Sequence, residues 1–333
     1  MSRNIKILFV LVVATAFAYW LVSRQPWNTF KGKLKDFAIK DTSEITRIFF
    51  ADKRNNTVLL QRNENQEWMV NNKFIADADK VNLLLATIHD VEVRNPILET
   101  ENNTVIGILA TNAIKTEFYR GNKLIKTIYV GSATPDQTGT YMLIDGSSEP
   151  YVTHVSGFVG YLSSRFCAEE KKWKSREIFN VKPELIKSVS VQYPEDMSHS
   201  FIIENGTTPV LKSNDKILNS DPKYLLYYLN SFQHLYFEGY SDATNVEIDS
   251  VQKITPFCVI VLTKNDGSKI KLQVNRKGVD RKTKEHYDTD SHPMEYDSDR
   301  YLAFLNDEKD ILVLQQYSFG KIFKTLDDIL ISK

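Results

Sequence analysis

The stretch that decides the fold runs from Val259 to Val274 and reads VIVLTKNDGSKIKLQV. An apolar run, Val259 to Leu262, precedes the Asn265-Asp266-Gly267 segment, and apolar residues alternate with polar ones from Ile270 to Val274. An Asp-Gly pair between two alternating apolar runs is a strong short-range signal for a β-hairpin. The sequence therefore predicts two antiparallel strands here, joined by a tight turn.

A similar pattern stands earlier in the chain, where residues 116–130 also alternate around a Gly-Asn pair. The segments Glu44–Ile48 and Glu184–Val189 resemble each other, and each leads into further strand-like stretches. The order of these patterns is the same in both halves of the chain, and such self-similarity indicates an internal repeat.

A helix is predicted in each half, beginning after Asp77 and after Asp221. Asp at the N-cap accepts hydrogen bonds from amide groups that have no partner inside the helix. We expect the leucine pairs 83–84 and 225–226 to lie in the two cores. The fold class is therefore α+β, with two tandem similar repeats of antiparallel sheets and packed helices after one N-terminal transmembrane helix.

The composition is that of a folded chain, with 42% hydrophobic and 25% charged residues and a formal net charge of zero. A neutral chain has no strong field to recruit nucleic acid, which we do not expect as a partner. The predicted divisions are an N-terminal flank (1–6), a transmembrane anchor (7–24), a juxtamembrane linker (25–43), a first repeat (44–170), a connector (171–183) and a second repeat (184–331).

The N-terminal segment Ile7–Val22 reads ILFVLVVATAFAYWLV and contains no charged residue. This length is close to the lower limit of roughly 17–25 residues for a membrane-spanning helix. A cleaved signal peptide is the alternative, but cleavage after Ala18 would leave the apolar stub 19–22 on the mature chain. We therefore expect an uncleaved anchor whose partner is the lipid bilayer.

The orientation of this anchor rests on two opposing signals. More Lys and Arg residues follow the span than precede it, which favours a cytoplasmic body. The order of a basic flank and then an apolar run is that of an export signal, which favours the opposite orientation. We predict a single-pass protein of the bacterial inner membrane with its bulk on the extracytoplasmic, periplasmic side.

A group of structural motifs resembles a bacterial family known only as a domain of unknown function. The motifs are Trp68, Ala76-Asp77-Ala78, Tyr129-Val130-Gly131-Ser132, Gly139-Thr140-Tyr141-Met142, Pro150-Tyr151-Val152, Phe158 to Phe166, Trp173 and Ile178-Phe179. Members of that family have one N-terminal span and are often encoded beside ABC-type transport systems similar to gliding-motility transporters. The resemblance implies an accessory component of an ABC-type transport or envelope complex, with transporter subunits as partners. It carries no catalytic residue or cofactor.

Motifs for known chemistry are absent from the sequence, which has no phosphate-binding P-loop, nucleophile elbow or zinc-protease signature. The one site-like stretch is the charged loop 277–300, in which carboxylates and imidazoles stand at alternate positions. On a strand such residues share one face, where they can gather a divalent ion. The metal-ligand candidates are His286, Asp288, Asp290, His292, Glu295, Asp297 and Asp299. A partner contact and a solvated loop are the alternatives.

A dense aromatic run follows Asp221, and its helical spacing favours packing in the core or between the repeats. The other interpretation is an exposed aromatic face that a transporter subunit covers. The partner-binding candidates on that face are Tyr224, Tyr228, Phe232 and Tyr236. Cys167 and Cys258 have no metal-type spacing, and the sequence leaves open whether they pair or remain free thiols.

Together these features favour a non-enzymatic, membrane-anchored accessory or scaffold module that needs no cofactor. One alternative is a protein that binds a glycan, lipid or peptide in a groove between the repeats. A second alternative is a metal-dependent hydrolase that uses residues 286–299 of the charged loop.

Overall fold

The computed structural model describes residues 35–242, 245–281 and 283–331. It divides into two compact units, unit 1 ending at Ser175 and unit 2 beginning at Arg176. The predicted membrane anchor, residues 7–24, lies outside the described residues. Within the described ranges, no helix combines the length and apolar character that a membrane span requires.

Unit 1 consists of a four-strand meander, then two helices with a short strand between them, and then a second group of strands. Its elements are β1 (Arg47–Ala51), β2 (Thr57–Arg62), β3 (Trp68–Val70), β4 (Phe74–Ile75), α1 (Ala78–Asp90), β5 (Val91–Pro96), α2 (Glu99–Asn112), β6 (Ile114–Arg120), β7 (Lys123–Ala133), β8 (Thr140–Ile144), β9 (Tyr151–Val155) and α3 (Glu170–Trp173).

The strands of unit 1 form one nine-stranded antiparallel sheet in the order β4-β3-β2-β1-β6-β7-β8-β9-β5. The main core of the unit contains the buried residues of α1 together with those of the strands. A smaller cluster joins Val105 and Leu109 of α2 to Tyr129 and Tyr141 of β7 and β8. The sheet is therefore covered by helices in two separate places.

Unit 2 repeats the succession of a four-strand meander, a helix, an edge strand, a second helix and four further strands, and it adds two short strands that pair with each other. Its elements are β10 (Glu177–Phe179), β11 (Ile186–Gln192), β12 (Phe201–Asn205), β13 (Pro209–Ser213), β14 (Lys216–Leu218), α4 (Pro222–Asn230), β15 (Leu235–Tyr236), β16 (Gly239–Tyr240), α5 (Asn245–Lys253), β17 (Cys258–Lys264), β18 (Lys269–Gly278), β19 (Tyr296–Leu305), β20 (Leu312–Gln315), α6 (Gln316–Phe319) and α7 (Leu326–Ile331).

The large sheet of unit 2 has the order β14-β13-β12-β11-β17-β18-β19-β20-β16. The predicted hairpin is confirmed as β17 and β18, with Val261 opposite Lys271. Gly267 has a φ of +85° in the turn between them, a conformation that glycine adopts without the steric penalty of a side chain. The small pair β10–β15 forms a separate two-stranded sheet.

The two large sheets have one strand order when the strands of each sheet are numbered along the chain. In both, the fourth strand lies at one edge, and the fifth lies at the other edge beside the ninth. Both sheets are antiparallel throughout their named pairs, and both units carry helices. The predicted α+β class with antiparallel sheets is therefore confirmed.

The helices α1 and α4 begin as predicted, because the Asp77 and Asp221 carboxylates accept hydrogen bonds from backbone N–H groups of the first turn. The predicted leucine pairs are only half right. Leu84 and Leu225 are buried, whereas Leu83 and Leu226 are exposed. Adjacent residues of a helix point about 100° apart, and in each predicted pair the boundary of the buried stripe falls between the two leucines.

The boundaries of the folded units extend beyond the predicted repeats. Phe37 and Ile39 belong to the core of unit 1, although the predicted linker extended to residue 43. Trp173 is buried in unit 1 and Phe179 in unit 2, although both fall in the predicted connector 171–183. These segments have too few residues to show a periodicity, but each buries a large side chain.

Candidate functional site

The charged loop 277–300 is held at its base by a buried ion pair. The Asp297 carboxylate is almost fully buried and lies 3.1 Å from the Lys277 ammonium. It also accepts hydrogen bonds from the Thr283 hydroxyl and from the backbone N–H of Asp299. Burial alone would raise the pKa of Asp297, but these donors and the ammonium together lower it. Asp297 therefore serves as a fixed anion that closes the loop.

Two arginines bind the strands that flank this loop to other parts of unit 2. Arg300 forms a two-pronged ion pair with Glu238, with hydrogen bonds of 2.7 and 3.0 Å. That hydrogen bonding lowers the pKa of the Glu238 carboxyl. Arg276 contacts both carboxylate oxygens of Glu195, at 3.0 and 2.8 Å. The loop thus begins and ends on anchored strands.

The outer part of the loop is a small irregular hairpin, closed by a bridge between Tyr287 and Pro293. At its tip, the Asp288 carboxylate accepts hydrogen bonds from the backbone N–H groups of Asp290 and His292. A carboxylate that caps its own turn in this way has a structural role. The His292 ring lies 3.5 Å from the same carboxylate and is largely exposed.

The seven metal-ligand candidates of this loop are placed apart by the hairpin. Only Asp297 and Asp299 lie on β19, and Asp297 is buried while Asp299 is exposed. The other five, His286, Asp288, Asp290, His292 and Glu295, precede β19 in the loop. In the part of the chain that the structure describes, no three His, Cys, Asp or Glu side chains gather as a metal site would require. The expectation that these residues share one strand face is therefore wrong, because the segment turns back on itself.

The aromatic run of unit 2 divides into buried and exposed members. Tyr228 and Phe232 are 2% and 0% exposed and stack edge to face at 5.5 Å. Both belong to the core of the unit, so the hypothesis of an exposed partner face is wrong for these two. Tyr224 is partly buried against the same core. Tyr236 is 46% exposed, and its hydroxyl donates a hydrogen bond to Glu177.

The solvent-facing side of α4 carries two apolar side chains that the sequence analysis did not select. Tyr227 is 71% exposed and stacks on Tyr224, and Leu226 is 43% exposed. Counted from the N-caps Asp77 and Asp221, Leu226 and Tyr227 correspond to Asn82 and Leu83 of α1. Counting from the cap would have identified them, because the buried positions fall at the same distance from it in both helices.

A shallow depression borders this side of α4. It has a volume of about 390 Å³ and is lined by Pro183, Glu184, Ile186, Asn205, Gly206, Leu226 and Asn265. The Asn205 amide group donates to the carbonyl oxygens of Pro183 and Ile186. The Asn265 amide group donates to the carbonyl of Glu184. These bonds fix both amides and leave their Oδ1 atoms as acceptors.

Both cysteines are free thiols in the structure. Cys258 is fully buried in the core of unit 2, and burial raises the pKa of its thiol. Cys167 is partly buried, and desolvation likewise raises its pKa above the ordinary value. A raised pKa lowers the thiolate fraction at neutral pH, so neither thiol has the electrostatic setting of a reactive cysteine.

The fold and these surfaces define a class, an α+β protein with two nine-stranded antiparallel sheets and an apolar helix face beside a polar depression. Residues 68–248 match the family described as "Domain of unknown function (DUF4340)", and the chain belongs to this family. The predicted kinship with a family of unknown function is thereby confirmed. No curated protein and no solved structure matches the chain.

Proposed function

We propose that this chain is a non-enzymatic accessory or scaffold module that contacts a membrane-protein partner through the exposed face of α4. The single observation that carries the proposal is the difference between α4 and α1. The two helices bury side chains at the same positions after their caps, but Asn82 of α1 corresponds to the exposed Leu226 of α4.

This difference is informative because neighbouring apolar side chains that are exposed to water often mark a surface that binds a partner. Tyr227 and Leu226 are adjacent on α4, and Leu185, which is 55% exposed, belongs to a turn that α4 contacts. Tyr is enriched in the centres of protein interfaces, where its large ring loses little conformational entropy on burial. The three side chains together supply an anchor for a protein partner.

The tandem repeat is part of the same proposal. The shared strand order of the two sheets supports descent of both units from one ancestral fold. Unit 1 retains a polar residue at the helix position where unit 2 has Leu226. In this scheme the repeated scaffold is common to both units, and the partner-binding surface is the speciality of unit 2.

The proposed place of action is the extracytoplasmic side of the bacterial inner membrane. The apolar stretch in residues 7–24 supports an anchor there, and the basic flank before it supports the outward orientation. The partner in this proposal is a subunit of an ABC-type transport or envelope complex. The module would hold that partner near the membrane and would not transform a substrate.

The test is co-purification of the tagged full-length chain after extraction in several mild detergents. A transporter subunit should be recovered with the native chain, and Tyr227→Lys should reduce its recovery by about tenfold, as expected for loss of a central interface anchor. Leu83→Lys is the matched control, because Leu83 holds the corresponding helix position in unit 1 and is also exposed. Equal loss in both variants, or recovery of the chain alone in every detergent, would overturn the proposal.

A further inference from the structure

The depression beside α4 lies at a corner that is built differently in unit 1. Arg62 and Asn205 end the second strand of their respective sheets. Arg62 Nε donates to the carbonyl of Ile45 at 3.3 Å, and Asn205 Nδ2 donates to the carbonyl of Ile186 at 2.9 Å. Ile45 and Ile186 are both buried, so the two side chains serve corresponding backbone groups.

In unit 1 a guanidinium group fills this corner. The Arg62 guanidinium lies 4.8 Å from the centre of the Trp68 ring, and it also donates to the carbonyl of Gln66. Trp68 is the strand neighbour of Arg62, and the neighbour of Asn205 at the same place is Pro209. Unit 2 has therefore replaced both members of a cation–π pair by smaller residues.

The corner of unit 2, as far as the structure describes it, also lacks the positive charge that pairs with a nearby glutamate in unit 1. In unit 1, Glu44 stands one residue before Ile45 and forms an ion pair with Arg120. In unit 2, Glu184 stands two residues before Ile186 and lines the depression. Among the described residues, no basic side chain forms an ion pair with Glu184. The open corner thus contains an exposed carboxylate that has no ion-pair partner among the described residues.

The remaining hydrogen-bonding capacity of the depression is mostly that of acceptors. The amides of Asn205 and Asn265 use their N–H groups on backbone carbonyls, so their Oδ1 atoms and the Glu184 carboxylate are left to receive donors. Pro183 and Leu226 supply apolar surface beside them. Such a lining suits a planar, weakly hydrated cation that has several N–H donors and an apolar face.

We propose that this depression receives the guanidinium group of an arginine side chain from a partner polypeptide. Arginine has five N–H donors in a fixed plane, whereas lysine presents a compact, strongly hydrated charge. Arg62 gives the internal precedent, since its guanidinium occupies the corresponding corner of unit 1. The inference deepens the proposed function, because the arginine belongs to the partner that contacts the neighbouring face of α4.

The test uses a small probe, so that it does not depend on finding the partner. N-acetyl-arginine N-methylamide is titrated into the full-length chain in detergent micelles, with NMR detection of the Ile186 and Leu226 methyl groups. We expect saturable shifts of both methyl signals. The corresponding citrulline compound has the same shape without the charge and should bind at least about tenfold more weakly, because a charge-assisted hydrogen bond is lost.

Three variants of the chain sharpen this titration. Asn205→Arg should fill the depression and abolish the shifts, and Glu184→Gln should weaken binding by about tenfold. Ile202→Arg is the matched control, since it adds the same single positive charge at an exposed position on the opposite face of the same strand, and binding should persist. Equal binding of the arginine and citrulline compounds would overturn the inference, as would unchanged binding in Glu184→Gln. Loss of co-purification with intact probe binding would instead count against the proposed function alone.

Discussion

The two connections between the seventh and eighth strands of the sheets differ in length but are closed by the same chemistry. In unit 1, residues 134–139 are gathered by Asp136, which accepts hydrogen bonds from the hydroxyls of Thr134 and Thr138. In unit 2, residues 279–295 are closed at their base by Asp297, which is buried against Lys277. In each connection a carboxylate accepts the hydrogen bonds that close the loop, and in the longer one that carboxylate is also part of a buried ion pair.

This comparison shows why charged residues in a loop do not by themselves indicate a metal site. The long connection has acidic and imidazole side chains at the spacing of a ligand set, yet its best-placed carboxylate is already satisfied by Lys277, Thr283 and two backbone N–H groups. A carboxylate saturated in this way has little capacity left for an ion.

The largest expected effect is that of Asp297→Ala in the long connection. The substitution leaves the Lys277 ammonium, whose side chain is only 15% exposed, with the half-exposed Asp280 carboxylate at 2.9 Å as its remaining ionic partner. Because Asp280 compensates part of the charge, we expect the free energy of unfolding to fall by about 2 kcal/mol, below the range for a buried charge left with no partner. The measurement is urea unfolding of the full-length chain in detergent micelles.

The control for this prediction is Asp299→Ala, because Asp299 lies two residues away on the same strand and is exposed. Its loss should change the free energy of unfolding by no more than about 0.5 kcal/mol. If the two substitutions had equal effects, the ion pair would not be what holds the long connection.

A smaller effect is expected in the short connection, through the acid dependence of Asp136. Hydrogen bonds from the Thr134 and Thr138 hydroxyls lower the pKa of Asp136 to about 2. The pKa of an aspartate in an unfolded chain is about 3.9, so the pKa of Asp136 in the folded chain is the lower of the two. The carboxylate therefore contributes stability that is complete above about pH 4 and is lost as the pH falls through 2.

NMR titration of the Asp136 carboxyl carbon measures the effect directly. A range from about pH 1.5 to about pH 5 covers both the folded and the unfolded pKa. Thr138→Val should move the midpoint upward, since it removes one hydroxyl donor while keeping the shape of the side chain. A midpoint near the unfolded value in the native chain would show that these hydrogen bonds do not organise the short connection.

The smallest expected effect is that of Asp288→Ala at the tip of the long connection. Its carboxylate accepts hydrogen bonds from the backbone N–H groups of Asp290 and His292 and lies 3.5 Å from the His292 ring, all in the exposed hairpin. We expect faster hydrogen exchange of those two amides and an unchanged urea midpoint. A shift of the global midpoint would instead mean that the tip and the base of the loop are one cooperative unit.

Much of the fold follows from short-range signals in the sequence. The β17–β18 hairpin lies where its Asp-Gly turn predicts it, and α1 and α4 begin at their capping aspartates. The helix α2 was not predicted, because only Val105 and Leu109 of its residues are buried and they give no clear period. The strand β5 was missed as well, since its pairing with β9 depends on contacts far apart in the chain.

The candidate site was harder to predict for a related reason. The aromatic run was visible, but which of its members point outward depends on the helix phase relative to Asp221. The equivalence of Arg62 and Asn205 depends on strand register, because the residues around them share no motif. The positions of Asp288 and Asp297 depend on a hairpin that turns the loop back on itself. No local sequence pattern predicts that turn.

The position of β5 at the edge of its sheet affects how unit 1 folds while the chain is being synthesised. Among the described strands its neighbour in the sheet is β9, which the ribosome produces much later. At roughly 5–20 residues per second, β5 waits on the order of several seconds for that partner. During this interval the segment has no sheet partner, and its unpaired backbone N–H and C=O groups are open to chaperones and to mispairing.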